Sequence, residues 1–379
     1  MRVAFAVDAA VGVDRNRGVA PPRRLPPGHV AGSVESRRLF DGAIEHVRSA
    51  GVWYDYQTVH GDKLTLAFAK AAAAHGAALA NYVEAITVAR PSGGRSRDAL
   101  MRVTVNDCFT GNDFEIRARA LVNAAGPWNS RMLEATGIPA QWPLLKAMNV
   151  VTSRPARATA LAAPTRAGRA LVMMPWQGRT LIGTSESADE READDQSANR
   201  TEVQHFLAEV NETFPALRLS LDEVTLVHRG IVPAAAYARG LSLLGQHRIL
   251  NHGDAGAPQV FTVVGVKYTT ARLVAERTVD QLMARLGRRA VPCRTADTVL
   301  PGAALDDRDP VDGVVHAIRD EMAHTVVDVV VRRTGIGQTG YPGDERATAV
   351  ADSMQGVLGW SDERKTLELA ALRNFYKIA

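Results

Sequence analysis

Apolar positions change their period along the chain, and the changes mark elements. From Asp62 a helical spacing sets in, with Leu64, Phe68 and Ala72 on one stripe and Gly76 closing it, which predicts a helix burying one face. Leu79 to Val88 reads as a strand. Arg102–Val105 and Phe114–Arg119 alternate in polarity around Gly111-Asn112-Asp113, a hairpin signal. The second arm is expected to run on into Leu121-Val122-Asn123-Ala124-Ala125-Gly126-Pro127-Trp128, a buried strand ending at a sharp glycine turn. A second hairpin is predicted over Ala170–Thr184, turning at Gln177-Gly178. Thr201–Thr213 returns to helical spacing, with Val203, Phe206, Leu207 and Val210 inward and Pro215 as the stop. Val224–Val227 and Phe261–Val264 read as strands, and Thr269–Leu286 as a helix with Leu273, Leu282, Met283 and Leu286 apolar. Residues 1 to about 50, punctuated by Pro21, Pro22, Pro26 and Pro27, are expected to be irregular. From Pro310 the pattern is helical throughout. Strand-rich α+β sequence followed by a helical tail implies two sheet-based regions and a C-terminal helical domain.

One formal Gly-x-Gly-x-x-Gly is present, Gly335-Ile336-Gly337-Gln338-Thr339-Gly340. A dinucleotide fingerprint needs a strand before it, a helix directly after, and a second strand beyond. Val315, Ile318, Met322, Val326, Val329 and Val330 follow helical spacing instead. Pro342-Gly343 separates the glycines from the next helix, and only another helix, Asp362 to Phe375, follows. The motif is read as an interhelical loop.

Length and charge narrow the function classes. With 379 residues the chain has room for two or three domains. The net charge of +4 comes without a basic run interleaved with aromatics, so nucleic acid is not the expected partner. A weak positive bias suits an anionic small molecule or an anionic membrane surface. Cys108 and Cys293 have neither metal-ligand nor redox spacing, and a reducing, cytoplasmic compartment fits them. No metal site is expected. Met1–Val13 carries Asp8 and lacks a cleavage site, so it does not read as a signal peptide, and no uncharged run is long enough to span a bilayer.

Three segments carry candidate chemistry. The small residues of Asn123-Ala124-Ala125-Gly126-Pro127-Trp128 let a backbone approach a phosphate or ring closely. Gly265-Val266-Lys267-Tyr268-Thr269-Thr270-Ala271-Arg272 leads from a strand, through a lysine and hydroxyls, to a helix start whose free N–H groups suit an anion or a carbonyl edge. Met174-Pro175-Trp176-Gln177-Gly178-Arg179-Thr180-Leu181-Ile182-Gly183-Thr184 is a hairpin ending in Gly-Thr. In this order the three resemble the FAD-dependent glycerol-3-phosphate dehydrogenases. Trp53-Tyr54-Asp55 with Leu64-Thr65-Leu66, Glu321-Met322-Ala323 with Asp328 and Arg332-Arg333-Thr334, and Leu358-Gly359-Trp360 extend the likeness from about Arg15 to nearly the end of the chain.

The resemblance implies a fold between α+β and α/β. A Rossmann-like FAD-binding domain, about 51–145 and 255–290, would interleave with an antiparallel-sheet substrate domain, about 146–254, both within 1–300. A helical domain would occupy 301–379. It also implies FAD as cofactor and hydride transfer from a hydroxyl-bearing carbon to the flavin N5. Carried over by position, Ala125, Gly126 and Trp128 would lie near the FAD diphosphate and adenosine. Gly265, Lys267, Tyr268 and Thr269 would lie at the isoalloxazine. Lys267 would stabilise the reduced ring or touch substrate. Arg272 would hold substrate or pair with an acid on its own helix. The acceptor is left open among quinone, oxygen and another protein. Peripheral contact with the inner membrane, known for some relatives, is left open too.

Three departures qualify these expectations. No counterpart of the family's N-terminal Gly-x-Gly-x-x-Gly unit precedes Arg15, and a βαβ unit alone takes about 30 residues. The FAD-binding domain is therefore expected to be incomplete, with a raw sheet edge and poor FAD affinity. The family's Gly-Leu-Arg-Pro-Leu reads Gly230-Ile231-Val232-Pro233-Ala234, with Val232 in place of a substrate-holding arginine; Arg229 and His228 sit just before it, though strand alternation places neighbours on opposite faces. Lys-Gly-Ser-His reads Lys146-Ala147-Met148-Asn149, an amide in place of an imidazole at the substrate. His252 and His228 are the candidate bases, His252 otherwise reading as a surface loop residue. Tyr54 and Asp55 read as structural, and Trp176 and Trp360 as core. Three readings stay open: an FAD enzyme acting on glycerol 3-phosphate or another hydroxy or amine substrate, a non-catalytic remnant, and an NAD enzyme using Gly335–Gly340.

Overall fold

The computed structural model describes residues 1–90, 100–139, 141–237, 240–289, 291–301 and 310–379. The chain opens with helix α1 (Arg2–Val11), strand β1 (His29–Ala31), helix α2 (Ser33–Phe40) and strand β2 (Ala50–Val52). Helix α3 (Gly61–Ala74) leads into β3 (Val83–Ala89), β4 (Met101–Asp107) and β5 (Asp113–Ala118). Then come β6 (Leu121–Asn123), a 3-10 turn at Gly126–Trp128 and α4 (Asn129–Ala135). Strands β7 (Leu144–Pro155), β8 (Leu161–Pro164), β9 (Ala170–Trp176) and β10 (Arg179–Glu186) precede α5 (Arg200–Thr213). Next are β11 (Val224–Tyr237), β12 (Gly240–Leu243), β13 (Arg248–His252), β14 (Ala257–Val264) and α6 (Ala271–Arg285). The C-terminal part is α7 (Pro310–Glu321), a π-helical turn (Asp328–Arg333), α8 (Asp344–Leu358) and α9 (Asp362–Tyr376).

The large sheet is antiparallel and runs β12-β11-β7-β10-β9-β8. Its β9–β10 hairpin turns at Gln177 (φ 46°) and Gly178 (φ 78°), two consecutive left-handed residues whose twist matches that of the flanking strands. One face of this sheet, with Val150, Leu171, Met173 and Ile182, packs under α5 through the predicted Val203, Phe206, Leu207 and Val210. The opposite face, with Val151, Leu181 and Leu226, meets Phe375 and Tyr376 of α9. A smaller sheet, β13-β14-β6, carries the one parallel pairing of the described strands, β14 with β6. Strand β6 is its edge, with Val122 exposed. The meander β3-β4-β5 packs Val88, Met101 and Val103 against Leu133 of α4.

Several expectations need correction. Residues 1–50 are not irregular: they hold α1, α2 and the β1–β2 pair. Helix α1 buries none of its residues, so no one-sided stripe advertises it. The strand expected from Leu79 begins at Val83, after Tyr82 takes φ 55°. The stripes expected on α3 and α6 are not the buried ones. Leu66 and Ala67 are buried in α3 while Phe68 is exposed, and Val274 and Thr278 are buried in α6 while Leu273 is exposed. Helix α3 is alanine-rich and the buried face of α6 carries Val274 and Thr278, so the larger apolar residues do not mark the inner face. The arm β5 does not continue into β6; the two belong to different sheets.

The glycine loop 335–340 joins helical elements, as its context implied. It also fastens the C-terminal domain to the large sheet. Trp176 Nε1 donates to the Gln338 carbonyl (3.0 Å), Thr225 Oγ1 to that of Thr339 (2.6 Å) and Tyr376 Oη to that of Gly337 (2.8 Å). The Gln177 amide meets the Gln338 side chain. A Cβ on Gly337 would strike the Tyr376 hydroxyl and Val330, so the close approach requires glycine.

Candidate functional site

Two adjacent parallel strands, β6 and β14, end side by side. Past β6 the chain turns through Gly126 (φ 61°) into the 3-10 turn, and past β14 through Gly265 (φ 71°) toward α6. Gly265 has no room for a Cβ against Leu244. Crevices at the carboxyl ends of parallel strands are where dinucleotides bind in open α/β sheets. At this end the fully buried Asn129 donates its amide to the Val263 carbonyl, while its Oδ1 has no partner among the described residues. An unpartnered buried acceptor beside two glycine turns fits one side of a bound dinucleotide. Lys267, Tyr268 and Thr269 are exposed on the turn after Gly265. The Tyr268 hydroxyl lies 3.1 Å from Thr65 Oγ1 of α3. Trp128 is spoken for: its indole N–H donates to Asp194, which also pairs with Arg131. Those two bonds hold the Asp194 carboxyl below its usual range.

Next to this crevice lies a cavity of about 620 Å³. Its walls come from four places: Thr58–Asp62 at the start of α3, Trp176 with His228 and Arg229 of the large sheet, Tyr268, and Arg332, Gln338 and Phe375 of the C-terminal part. Arg229 is half-buried. It donates from Nε to the Gln196 carbonyl, from Nη1 to that of Val227 and from Nη2 to that of Phe375, and its guanidinium lies 5.5 Å from the Phe375 ring centroid. Among the described residues no carboxylate pairs with it, and burial lowers its pKa. His228 sits edge-on to Trp176 at 5.8 Å. Burial pushes its imidazole below the usual value, opposed in part by the nearby Asp62 charge. It is therefore neutral near pH 7, a state that can accept a proton.

The structure brings together some of the expected residues and separates others. His228 and Arg229 were expected on opposite faces, yet both line the cavity: His228 packs edge-on to Trp176, and Arg229 reaches the Phe375 carbonyl of the helical part. Trp176 packs against the Val151, Leu181 and Leu226 cluster as expected and in addition forms part of the wall, and Trp360 packs in the helical core. His252 was read as a surface loop residue; it is buried at the end of β13, 2.9 Å from Thr262 Oγ1, and does not line the cavity. Arg272 pairs with Glu276 at 2.7 Å on its own helix. Asn149 lies opposite His228 in the sheet and accepts from Thr184 Oγ1 (3.0 Å), packed where a Cβ on Gly183 would overlap it. Sequence reasoning missed Asp62, Gln196, Arg332, Gln338 and Phe375 as wall residues. For Gln338 a signal existed, the glycine loop, once its role as a nucleotide motif was set aside.

Comparison with known proteins shows the family and the fold. Residues 7–281 match the family described as FAD dependent oxidoreductase, and residues 274–365 match the C-terminal domain of alpha-glycerophosphate oxidase. The chain belongs to the FAD-dependent oxidoreductase family. It is 25% identical over 412 residues to a glycerol-3-phosphate dehydrogenase from Synechocystis, covering 90% of this chain and 74% of that protein. It is 28% identical over 263 residues to the mitochondrial glycerol-3-phosphate dehydrogenase of Mesocricetus auratus, covering 66% of this chain and 35% of that one. The chain thus spans three quarters of one relative and about a third of the other. The glycerol-3-phosphate dehydrogenase of Bacillus halodurans, solved with FAD, has the same fold, with a TM-score of 0.76 at 22% identity over 93% of this chain and 79% of that one. Among the described residues no helix is long and apolar enough to cross a membrane.

Proposed function

We propose that the chain is an FAD-dependent dehydrogenase acting on a small hydroxylated anion, with glycerol 3-phosphate the first substrate to test. The observation that carries this reading is the pairing, in one cavity, of a guanidinium that has no carboxylate partner among the described residues with an adjacent neutral imidazole. FAD, when bound, would supply the acceptor, at N5, for a hydride leaving the hydroxyl-bearing carbon. Ala125 and Gly126 would face its diphosphate, and Gly265, Lys267, Tyr268 and Thr269 its ring. The remaining work falls to the chain's own groups. Arg229, fixed by three carbonyls, would hold the anionic end of the substrate. His228 would take the hydroxyl proton, leaving a carbonyl product. Tyr268 and Trp176 would exclude water from the reacting end. Val232 and Asn149 stand where the family has an arginine and a histidine, so a related hydroxy anion is the second candidate.

The test is the visible spectrum of the purified chain incubated with FAD, followed by anaerobic addition of substrate. Flavin bands that stay with the protein and bleach with glycerol 3-phosphate or another hydroxy anion are the expected result. In that case kcat/KM should rise with pH through a value below 6.5, and His228→Gln should remove this limb. A chain that stays colourless is not a flavoenzyme on its own.

A further inference from the structure

The cavity has a second arginine, and it comes from the helical domain. Arg332 lies in the π-helical turn Asp328–Arg333, a wider turn than an α-helix that is often found at functional sites. Its Nη1 donates to Asp328 Oδ1 at 3.0 Å. Asp328 is itself buried and fixed by the Tyr82 hydroxyl (2.7 Å) and by the N–H groups of His324 (3.0 Å) and Thr325 (3.1 Å). Burial alone would raise that carboxyl, but these bonds and Arg332 outweigh it and hold it below its usual range. Arg332 is thus anchored at one nitrogen by an immobile carboxylate. Among the described residues its Nε and Nη2 donate to nothing. The wall that carries it is fastened to the large sheet through the glycine loop, by the bonds from Trp176 and Thr225. One acid, Asp62, also lines the cavity, at the start of α3, where the helix's own N-terminal N–H groups offset its charge.

We propose that the helical domain is part of the substrate site, and that Arg332 and Arg229 grip one oxyanion of the substrate from opposite domains. The inference rests on the reading of this cavity as the substrate site. A guanidinium held at one nitrogen keeps its other edge oriented for an oxyanion, which adds geometric selectivity to the attraction.

Inorganic phosphate is the probe, with binding to the full chain measured by calorimetry. Arg332→Gln and Arg229→Gln are each expected to weaken phosphate binding about ten-fold, the usual effect of losing one charge-assisted contact. Arg373→Gln, which removes an exposed ion pair of the same domain with Asp344, should leave it unchanged. Should Arg332→Gln fail to fold, phosphate protection of Arg332 against phenylglyoxal in the unaltered chain, read by mass spectrometry, gives the same answer. If Arg229→Gln weakens binding while Arg332 is neither needed nor protected, the helical domain is not part of the site and the inference fails alone. If neither arginine matters, the cavity is not the anion site and the functional reading falls with it.

Discussion

At the scale of single residues, the site depends on groups held by other groups. Arg229 is oriented through the Gln196 carbonyl, and Gln196 is bracketed by a buried lysine. Lys146, 2% exposed, donates to Asp195 Oδ1 (2.9 Å), Glu202 Oε2 (3.1 Å) and the Ser197 carbonyl (3.2 Å). A buried ammonium is tolerated only with such full pairing, and removal of one partner leaves charge uncompensated. Lys146→Ala should therefore cost about 3 kcal/mol in stability by urea unfolding, and more than Lys146→Met, which restores apolar volume while Arg191 still pairs with Glu202 (3.0 Å). Equal costs for the two would mean that the loss of the paired charge dominates and the lysine's packing contributes little. Lys146 was visible in the sequence only as part of a motif. Its burial follows from sheet pairing that no local pattern reports.

At the scale of elements, the glycine loop has the largest consequence. It was recognised as a motif and set aside as a nucleotide cradle, and its actual task is close packing between domains. Gly337→Val should press on Tyr376 and Val330 and destabilise the helical domain by about 1–3 kcal/mol. Hydrogen exchange in α8 and α9 should then speed up while exchange in α5 stays unchanged. Uniform loss of protection would show that the domains unfold as one unit. The β9–β10 hairpin and the buried face of α5 were both legible beforehand, because turn chemistry and large apolar residues at helical spacing are local signals. The inner faces of α3 and α6 were not, since their larger apolar residues do not mark them and burial is decided by what packs on them.

For the whole molecule, acid sensitivity follows from carboxylates held down in the fold. Glu223 is held at about 2 by the Arg154 ion pair (2.7 Å) and the Ser220 N–H, against a usual 4.5, and the Asp195 and Asp328 carboxyls are also lowered. Their folded pKa values lie below the unfolded ones. The stability they contribute is complete above about 4.5 and is lost as pH falls toward 2. The thermal midpoint should fall gently as pH drops below about 6.5, because buried His228 and His252 take up protons more readily in the unfolded chain, then drop steeply below about 4.5, and Glu223→Gln should make the steep part shallower. An unchanged slope would mean that Arg154 and Glu223 remain paired in the unfolded chain or contribute little at their half-exposed site.

Legible in the sequence alone were helices α3, α5 and α6, the β4–β5 and β9–β10 hairpins, the helical character of the C-terminal part, the family through three ordered motifs, and Arg229 and His228 as groups worth testing. These are properties of local period, turn residues and short motifs. The tertiary structure alone decided that His228 and Arg229 share a cavity, that His252 and Arg272 stand outside it, and that Arg332, Gln338 and Phe375 complete the wall. The physical reason is one of distance along the chain. The cavity gathers residues from Thr58 to Phe375, and contacts between segments so far apart are set by how the sheets and the helical domain pack.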